Sequence, residues 1–413
     1  MKNLYRILGI LLTIGVYFSC AKPEKNEQVT DQMVLTGLYY LDNQPIAITI
    51  EDGLIKDISR DVEVEASTHL IAPGLIDHQV NGYLSHSFVG GSLTSQALKE
   101  VTEGFWSKGI TTFLPTLTTQ TSEELLHGFQ TLDQLLAQDP KVAQSIPGFH
   151  LEGPFISPEP GFRGVHNPEW IRTPNWEEFE QWYRASGNRI LEVTVAPEIE
   201  GTMDFIKKCR ELGIVVAIGH SAALTEDINQ AVELGASVST HLGNGCANNI
   251  HRHHNPLWPQ LANDHLAASL IVDGFHLTEE EVRTFTKAKG YDNTILVSDL
   301  TRLAGMPPGK YEDFGRELVM TEEGAIKFPE EDVLAGASFL ITRGIENVTK
   351  FTGCSLGEAV DMASKNVARV IGLEDRGEIA VGKRADLLLF TFDEGQFQVE
   401  QTYVAGELVY TEL

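Results

Sequence analysis

The sequence predicts an α/β protein, with a (β/α)8 TIM barrel and a small β-sandwich domain built from both chain ends. Eight short apolar runs of strand length recur along the middle of the chain, and helical patterns lie between most of them. Short β-branched runs with turn signals occur at both ends of the chain. Eight strand and helix units favour a closed barrel over an open doubly wound sheet.

The predicted elements follow this order along the chain. The eight predicted barrel strands lie at 70–80, 109–117, 147–155, 190–196, 214–220, 236–242, 267–275 and 294–300. Helical patterns between them include 122–136, 203–212 and 278–289. Hairpin signals at 42–43 and 52–53, and two strand-like runs near the C-terminus, predict the sandwich over 34–72 and 378–413. The barrel is predicted over 73–377.

The first twenty residues have the pattern of a bacterial lipoprotein signal. Lys2 and Arg6 precede an apolar run at 7–16, and Ser19 stands before Cys20. The run is too short to span a bilayer and is followed by a polar stretch. We therefore expect a signal peptide at 1–20, lipidation at Cys20, a tether at 21–33, and a lipid-anchored protein in the periplasm or at the cell surface.

Charge and cysteine content exclude two classes of protein. The chain has 31 Lys and Arg against 58 Asp and Glu, a formal net charge of −27. Such an acidic chain repels nucleic acid, so we expect no nucleic-acid partner and no membrane contact beyond the anchor. Cys209, Cys246 and Cys354 are odd in number and widely spaced, which does not indicate a disulfide framework. One disulfide bond between two of these cysteines is possible, but the sequence does not indicate which two.

Polar side chains stand at the ends of six of the eight predicted strands. Barrel enzymes place their reactive groups at the carboxyl ends of the strands. A single His or Asp there is more often a structural group, but several on different strands favour an active site. These strand-end residues are Gln79, Asn81, Glu152, His220, His241, Asp273, His276 and Asp299.

Glu152, His220 and His241 form a candidate metal set. Two imidazoles and one carboxylate around an open position are typical of catalytic sites, where a divalent ion lowers the pKa of water and polarises a carbonyl. Hydrolysis also needs a group that accepts a proton from water and delivers it to the leaving amine. Asp299, at the end of the last strand, is placed to act as this acid and base.

From about residue 35 to 409 the chain resembles the N-acetylglucosamine-6-phosphate deacetylase family of the amidohydrolase superfamily. The order and spacing of the matching segments make this resemblance specific. The segments are Ala72-Pro73-Gly74-Leu75-Ile76-Asp77, His150-Leu151-Glu152-Gly153-Pro154-Phe155, Gly164-Val165-His166-Asn167-Pro168, Ala196-Pro197-Glu198, Gly219-His220-Ser221, Thr240-His241-Leu242, Asp273-Gly274-Phe275-His276 and Val297-Ser298-Asp299.

The resemblance implies metal-dependent hydrolysis of N-acetylglucosamine 6-phosphate to glucosamine 6-phosphate and acetate. It implies that Glu152, His220 and His241 bind one divalent metal, because the His-x-His of many superfamily members is replaced by Gln79-Val80-Asn81, as in deacetylases that use one metal. Zinc is the first choice and iron the second. His78 is expected on the opposite face of its strand, in a structural role.

The resemblance also implies a set of substrate contacts and a homodimer with subunit contacts near the active site. His276 resembles the histidine that polarises the amide carbonyl, and Arg252 falls where the family has an arginine for the substrate phosphate. The expected substrate-binding residues are Gln79, Asn81, Val165, His166, Asn244, Gly245, Arg252, Asp273, Leu334, Ala335 and Gly336.

Two features depart from the family. The loop at 243–256 carries His251, His253 and His254, which could form a second metal site, tune phosphate binding or line the mouth; we favour the last. An export signal is unusual for an enzyme acting on sugar phosphates, so an unphosphorylated amino sugar remains open as the substrate.

The alternative functions are an N-acyl amino acid hydrolase or cyclic amidase, or a non-catalytic surface lipoprotein that binds glycan or metal. A binding protein has no need of Asp299.

Overall fold

The computed structural model describes residues 32–63, 69–313, 316–329 and 333–412. The predicted signal peptide with Cys20, and nearly all of the predicted tether, lie outside the described residues. Among the described residues, no helix is long and apolar enough to cross a membrane.

Strands and helices alternate through most of the described chain. The strands are β1 (Met33–Tyr39), β2 (Pro45–Glu51), β3 (Leu54–Ser59), β4 (Leu70–Pro73), β5 (Leu75–Val80), β6 (Gly82–Tyr83), β7 (His86–Ser87), β8 (Ile110–Thr118), β9 (Phe149–Glu152), β10 (Ile190–Val195), β11 (Val215–Ile218), β12 (Ala236–Ser239), β13 (Ala267–Ile271), β14 (Thr294–Val297), β15 (Gly309–Asp313), β16 (Arg316–Met320), β17 (Ile326–Lys327), β18 (Leu387–Asp393), β19 (Gln396–Val404) and β20 (Glu407–Thr411). The α-helices are α1 (Ser95–Trp106), α2 (Ser122–Gln138), α3 (Pro140–Ala143), α4 (Trp176–Ala185), α5 (Thr202–Glu211), α6 (Thr225–Leu234), α7 (Leu257–Ala262), α8 (Glu279–Lys289), α9 (Ile341–Thr352), α10 (Leu356–Met362) and α11 (Lys365–Ile371).

The predicted barrel is confirmed. Eight strands lie side by side in the order β5, β8, β9, β10, β11, β12, β13 and β14. Each pair of neighbouring strands in this order is parallel. The seam between β14 and β5 is joined at the carboxyl end, where Asp299 N donates to Gln79 O over 3.1 Å and Asn81 N to Leu300 O over 2.8 Å. The sheet is therefore nearly closed where the reactive groups are expected.

The barrel interior is apolar at its lower end. Ile76, Leu114, Ala217, Val238 and Ile295 come from five different strands and pack with side chains of α11. Asn366 of α11 donates to the carbonyl of Thr294, the first residue of β14, so α11 lies at the amino end of the strands. This apolar packing closes one end of the barrel and leaves the other for polar groups.

The first predicted strand, 70–80, is wrong as a single element. The run divides at Gly74: β4 joins the sheet of the chain ends, and β5 joins the barrel. Gly74 N donates to Asp386 O over 2.9 Å, which turns the chain between the two sheets. A Cβ on Gly74 would lie 2.1 Å from Thr111 Oγ1, so only glycine fits at this crossing.

The two chain ends form one seven-stranded sheet in the order β20, β19, β18, β4, β1, β2 and β3. The β1 and β4 pair is parallel and the others are antiparallel. Apolar residues of both halves, such as Ile48 and Leu387, share one core, and Leu54 bridges Arg384. The predicted sandwich is thus a continuous sheet folded over its own core.

A small antiparallel sheet of β15, β16 and β17 follows the last barrel strand and was not predicted. Leu318, Met320 and Ile326 bury their side chains in a cluster with Leu303 and Ala335. We call β15 to β17 the flap sheet. It lies beside the carboxyl end of the barrel and contributes one wall of the main cavity.

Candidate active site

A cavity of about 1000 Å³ opens at the carboxyl end of the barrel. Its lining includes side chains at the ends of several different strands, among them Glu152, His220, His241 and Asp299. The volume is at the upper end of the range for small-molecule sites. Most of the strand-end residues that the sequence singled out therefore meet in one cavity.

Glu152 is the centre of the predicted metal set. Its Oε1 lies 3.2 Å from His220 Nε2 and 3.0 Å from His241 Nε2. Burial acts to raise the pKa of Glu152, but the contacts with His220 and His241 outweigh it and hold the pKa well below its usual value. The carboxylate is therefore ionised although its side chain is almost completely buried.

The donor atoms of this set fit a divalent metal. His220 Nδ1 lies 2.9 Å from the carbonyl oxygen of Phe162, which fixes the tautomer with its proton on Nδ1 and a lone pair on Nε2. A second ring proton or a metal ion must therefore lie between Nε2 and the carboxylate oxygen of Glu152. Among the described residues, Glu152, His220 and His241 are the one group of three ligand side chains with this geometry.

Three of the site residues have left-handed backbone conformations. The φ angles are +50° at His220, +28° at His241 and +54° at Asp299. Non-glycine residues avoid this region, and strained residues of this kind cluster at functional sites. The strain turns each side chain from its strand end into the cavity.

Asp299 is held by two side-chain amides. Asn81 Nδ2 donates to Asp299 Oδ1 over 2.7 Å, and Gln79 Nε2 donates to the same oxygen over 3.1 Å. Burial, followed by the negative charge of Glu152, raises the pKa of Asp299. Because Oδ1 is occupied by these donors, Oδ2 is the oxygen that remains for proton transfer.

Asp273 holds His276 rather than lining the cavity. Its Oδ2 lies 2.8 Å from His276 Nδ1, and its Oδ1 accepts from the backbone N–H groups of Phe275 and His276. Burial acts to raise the pKa of Asp273, but the contacts with His276 outweigh it and lower the pKa. His276 itself lines the cavity, with Nε2 as its unoccupied nitrogen.

His166 also lines the cavity, beside the metal set. Its Nδ1 lies 2.8 Å from Thr119 Oγ1, and its ring stands edge-on to His220 with the centroids 4.4 Å apart. Burial and the neighbouring His220 lower the pKa of His166 to about 3, so the ring is neutral. Thr119 was missed because the second predicted strand stopped at 117, whereas β8 extends to Thr118.

The other predicted substrate contacts divide into two groups. Asn81, Val165, Asn244, Gly245, Leu334 and Gly336 line the cavity. Outside its lining lie Gln79, which bridges Glu152 and Asp299, and the fully buried Ala335, which packs in the flap-sheet core. Arg252 also lies outside the lining of this chain's cavity and is exposed. Direct substrate contact by any of these residues stays a prediction.

His78 does not follow the expected alternation of side chains. Its Nδ1 lies 2.9 Å from Glu192 Oε2 on β10, and its Nε2 lies 3.1 Å from Ser269 Oγ on β13. His78 and Gln79 thus both reach other barrel strands. The register of β5 against β8 is irregular between Asp77 and Val80, which breaks the period of two.

His251, His253 and His254 stay together on the exposed loop. The rings of His251 and His254 stack with their centroids 4.9 Å apart, and the backbone N–H groups of His253 and His254 donate to His251 Nδ1. Within the part of the chain that the structure describes, they do not form a metal-binding group. These side chains also lie outside the cavity lining.

The metal set yields a prediction about metal content. We expect Glu152→Gln to lower the bound divalent metal from about one per chain to a small fraction, because the amide removes the central negative ligand. Asp299→Asn is the matched control, since it removes one carboxylate from the same cavity without removing a ligand. Elemental analysis of the purified variants measures both. Equal metal content in the two variants would contradict the assignment of Glu152 as a ligand.

Comparisons with known proteins agree with this geometry. The Amidohydrolase family profile matches residues 70–409. N-acetylglucosamine-6-phosphate deacetylase from Lysinibacillus sphaericus is 31% identical over 378 residues, covering 89% of this chain and 94% of the relative. The corresponding protein from Bacillus subtilis is 31% identical, covering 84% of this chain and 89% of the relative.

Solved structures show the same similarity. A mutant N-acetyl-D-glucosamine-6-phosphate deacetylase from Mycobacterium smegmatis, in complex with N-acetyl-D-glucosamine-6-phosphate, superposes with a TM-score of 0.83 at 26% identity. The deacetylase from Thermotoga maritima superposes with a TM-score of 0.81 at 28% identity. Both matches cover 92% of this chain and 100% of the other. The chain therefore belongs to the amidohydrolase family, in the branch of the N-acetylglucosamine-6-phosphate deacetylases.

Proposed function

We propose that this enzyme hydrolyses N-acetylglucosamine 6-phosphate to glucosamine 6-phosphate and acetate. The observation that carries the proposal is the meeting of Glu152, His220 and His241 with Asp299 in one cavity. The curated relatives with this name match nearly their full length, which supports the same substrate class. The reaction breaks the amide C–N bond and adds the elements of water.

A single divalent metal, zinc or alternatively iron, would be held by Glu152, His220 and His241. When bound, such an ion polarises the amide carbonyl and lowers the pKa of water. A His2Glu set accommodates either metal, and zinc is the common occupant of such hydrolytic sites. Where many members of the amidohydrolase superfamily carry His-x-His, Gln79 donates to Glu152 Oε1 over 2.8 Å, which supports one metal rather than two.

Asp299 moves the protons in this reaction. Its Oδ2 accepts a proton from the attacking water and later delivers it to the nitrogen of the leaving amine. Burial and Glu152 raise its pKa towards the range where a carboxyl group can both accept and return a proton. Asn81 and Gln79 fix the carboxylate through the opposite oxygen, so its proton-accepting side stays aimed at the cavity.

His276 stabilises the charge that develops on the amide oxygen. Asp273 accepts from Nδ1 and fixes the ring orientation, so that a protonated His276 donates Nε2–H into the cavity. His166, which is neutral and held by Thr119, is placed to contact the sugar. Each side chain is thus held by a hydrogen bond within the protein before substrate arrives.

The function is tested by acetate release from N-acetylglucosamine with and without the 6-phosphate. We expect turnover of the phosphorylated sugar, and we expect Asp299→Asn to lower kcat roughly 10²- to 10⁴-fold while retaining its metal. Asn keeps the volume and the hydrogen bonds to Oδ1 but cannot carry the proton. Metal-loaded enzyme that releases no acetate from either sugar would direct the search to another amidohydrolase substrate. Near-normal turnover of the variant would exclude Asp299 as the proton carrier.

We also propose that the protein is exported and anchored by a lipid on Cys20. The charged start of the chain, the apolar run at 7–16 and Ser19 before Cys20 support this processing. In cells labelled with a radioactive fatty acid, the full-length chain should carry the label, and Cys20→Ala should not. Equal labelling of the two chains would contradict the anchor. If the lipid-labelled protein faces the outside of the cell, its amino-sugar substrate must also be present there.

A homodimer is the third proposal, and an exposed aromatic side chain supports it. Trp258 on α7 is 52% exposed, and its Nε1 donates to the carbonyl of Arg252 over 2.8 Å. A large exposed indole beside the polar loop of a cavity mouth is a typical interface anchor. We expect residues 21–413 to sediment as a dimer and Trp258→Lys to shift the species towards monomer. Sedimentation of the unaltered chain as a monomer at micromolar concentration would contradict the proposal.

A further inference from the structure

The barrel sheet has a seam where β14 meets β5. Within the described residues these two strands share no ladder, and a single bridge, between Val80 and Leu300, joins β5 to the chain just beyond β14. Two backbone hydrogen bonds cross the seam at this point. Asp299 N donates to Gln79 O over 3.1 Å, and Asn81 N donates to Leu300 O over 2.8 Å. The residue that carries the proton is therefore fixed to β5 by its own N–H group.

Asp77, the third residue of β5, makes a further contact across the seam with its side chain. Its Oδ1 accepts a hydrogen bond from Ser298 N over 3.2 Å. In a parallel ladder, the acceptor at such a position is a backbone carbonyl of the neighbouring strand. Here a carboxylate oxygen takes the place of that carbonyl. Residues 77, 79 and 81 therefore hold residues 298, 299 and 300 in turn.

The stability of the barrel does not explain a carboxyl group at position 77. The Asp77 side chain is completely buried, and its Oδ2 accepts no hydrogen bond from a described residue. Burial raises the pKa of Asp77 to about 6, and the hydrogen bonds from Ser298 act against this rise. An apolar side chain would avoid the cost of burying an unpaired oxygen. The contact with Ser298 is therefore what this carboxyl group provides.

The backbone of Asp299 needs support from both sides. Its φ angle is +54°, in the left-handed region that non-glycine residues avoid. Such a conformation persists only where the surrounding structure determines it. On one side, Ala337 N donates to Asp299 O over 3.0 Å. On the other side, the peptide before Asp299 is held at Ser298 N by Asp77.

We propose that Asp77 is a positioning residue for the proton carrier. By accepting from Ser298 N, Asp77 keeps Asp299 in the left-handed conformation that directs its carboxylate into the cavity. Asp77 does not belong to the cavity lining, so it acts on the reaction through Asp299 and not through the substrate. This inference rests on the proposed function, in which Asp299 carries the proton.

The first experiment compares kcat, KM and metal content in variants of Asp77. We expect Asp77→Ala to lower kcat roughly 10- to 100-fold, because a displaced carboxylate transfers protons poorly. KM for the sugar and the bound metal should stay unchanged, since neither the ligands nor the lining residues are altered. Asp77→Asn should keep most of kcat, because its amide oxygen still accepts from Ser298 N.

Asn366→Ala is the matched control for a loss of stability. Asn366 is a buried residue whose side chain donates to Thr294 O at the amino end of the same strand, β14. Its removal should lower the midpoint of thermal unfolding and leave kcat unchanged. If Asp77→Ala does not fold, Asp77→Val carries the same expectation, because valine suits a buried strand. An unchanged kcat in the folded variant, an equal fall in the control, or no recovery in Asp77→Asn would each overturn the assignment.

The second experiment asks whether Asp77 acts through Asp299. Asp299→Asn already removes the proton carrier, so adding Asp77→Ala should lower kcat no further. If the two effects multiply instead, Asp77 acts on another part of the site and the positioning role is excluded.

A crystal structure of Asp77→Ala, or of Asp77→Val, separates this inference from the proposed function, because it needs no substrate. We expect the φ angle of Asp299 to leave the left-handed region, or its Oδ1 to move away from Asn81 Nδ2. The metal ligands should keep their positions. If the unaltered enzyme deacetylates neither sugar but Asp299 moves in the variant, the function fails and the positioning role stands. An unmoved Asp299 overturns the positioning role even if deacetylation is observed.

Discussion

The ionised carboxylate of Glu152 lies almost completely out of water and must be compensated there. A buried charge costs several kcal/mol unless it is paired, and here the compensation comes from His220, His241 and the amide of Gln79. Gln79 also donates to Asp299, so one side-chain amide connects the two carboxylates of the cavity. The arrangement of the other site residues follows from satisfying this one group.

The loops above the strands keep His220 in position from two sides. The Phe162 carbonyl fixes its tautomer, and Cβ atoms on Gly164 or Gly245 would lie within 3 Å of its ring. Both glycines have positive φ, and so does His220 itself. The ligand orientation is therefore imposed by close backbone packing as well as by its hydrogen bond. Such packing explains how the site maintains the strained backbone conformation of His220.

The alternation of apolar runs and helical patterns was enough to predict the barrel. Polar residues at the strand ends then singled out Glu152, His220, His241 and Asp299, because parallel strands bring their carboxyl ends together whatever lies between them. Three other features depended on contacts distant in sequence. The run at 70–80 is apolar on both sides of Gly74, from Leu70 to Ile76, so its division there depends on Thr111 and Asp386. In the flap sheet β15 has no buried residue, and β16 buries only Leu318 and Met320, which is a weak strand pattern. Asp273 was taken for a substrate contact, although its side chain supports His276.

The packing of the loops against the metal set has a consequence for catalysis. A contact with a part of the substrate that does not react can hold the amide against the catalytic groups, which lowers the entropy lost on reaching the transition state. This works only if the cavity wall is rigidly connected to the catalytic groups, and the segment at 162–164 is packed on His220. The next residue, Val165, packs against the apolar cluster of the flap sheet. The flap sheet and the metal set are therefore connected through one continuous segment of chain.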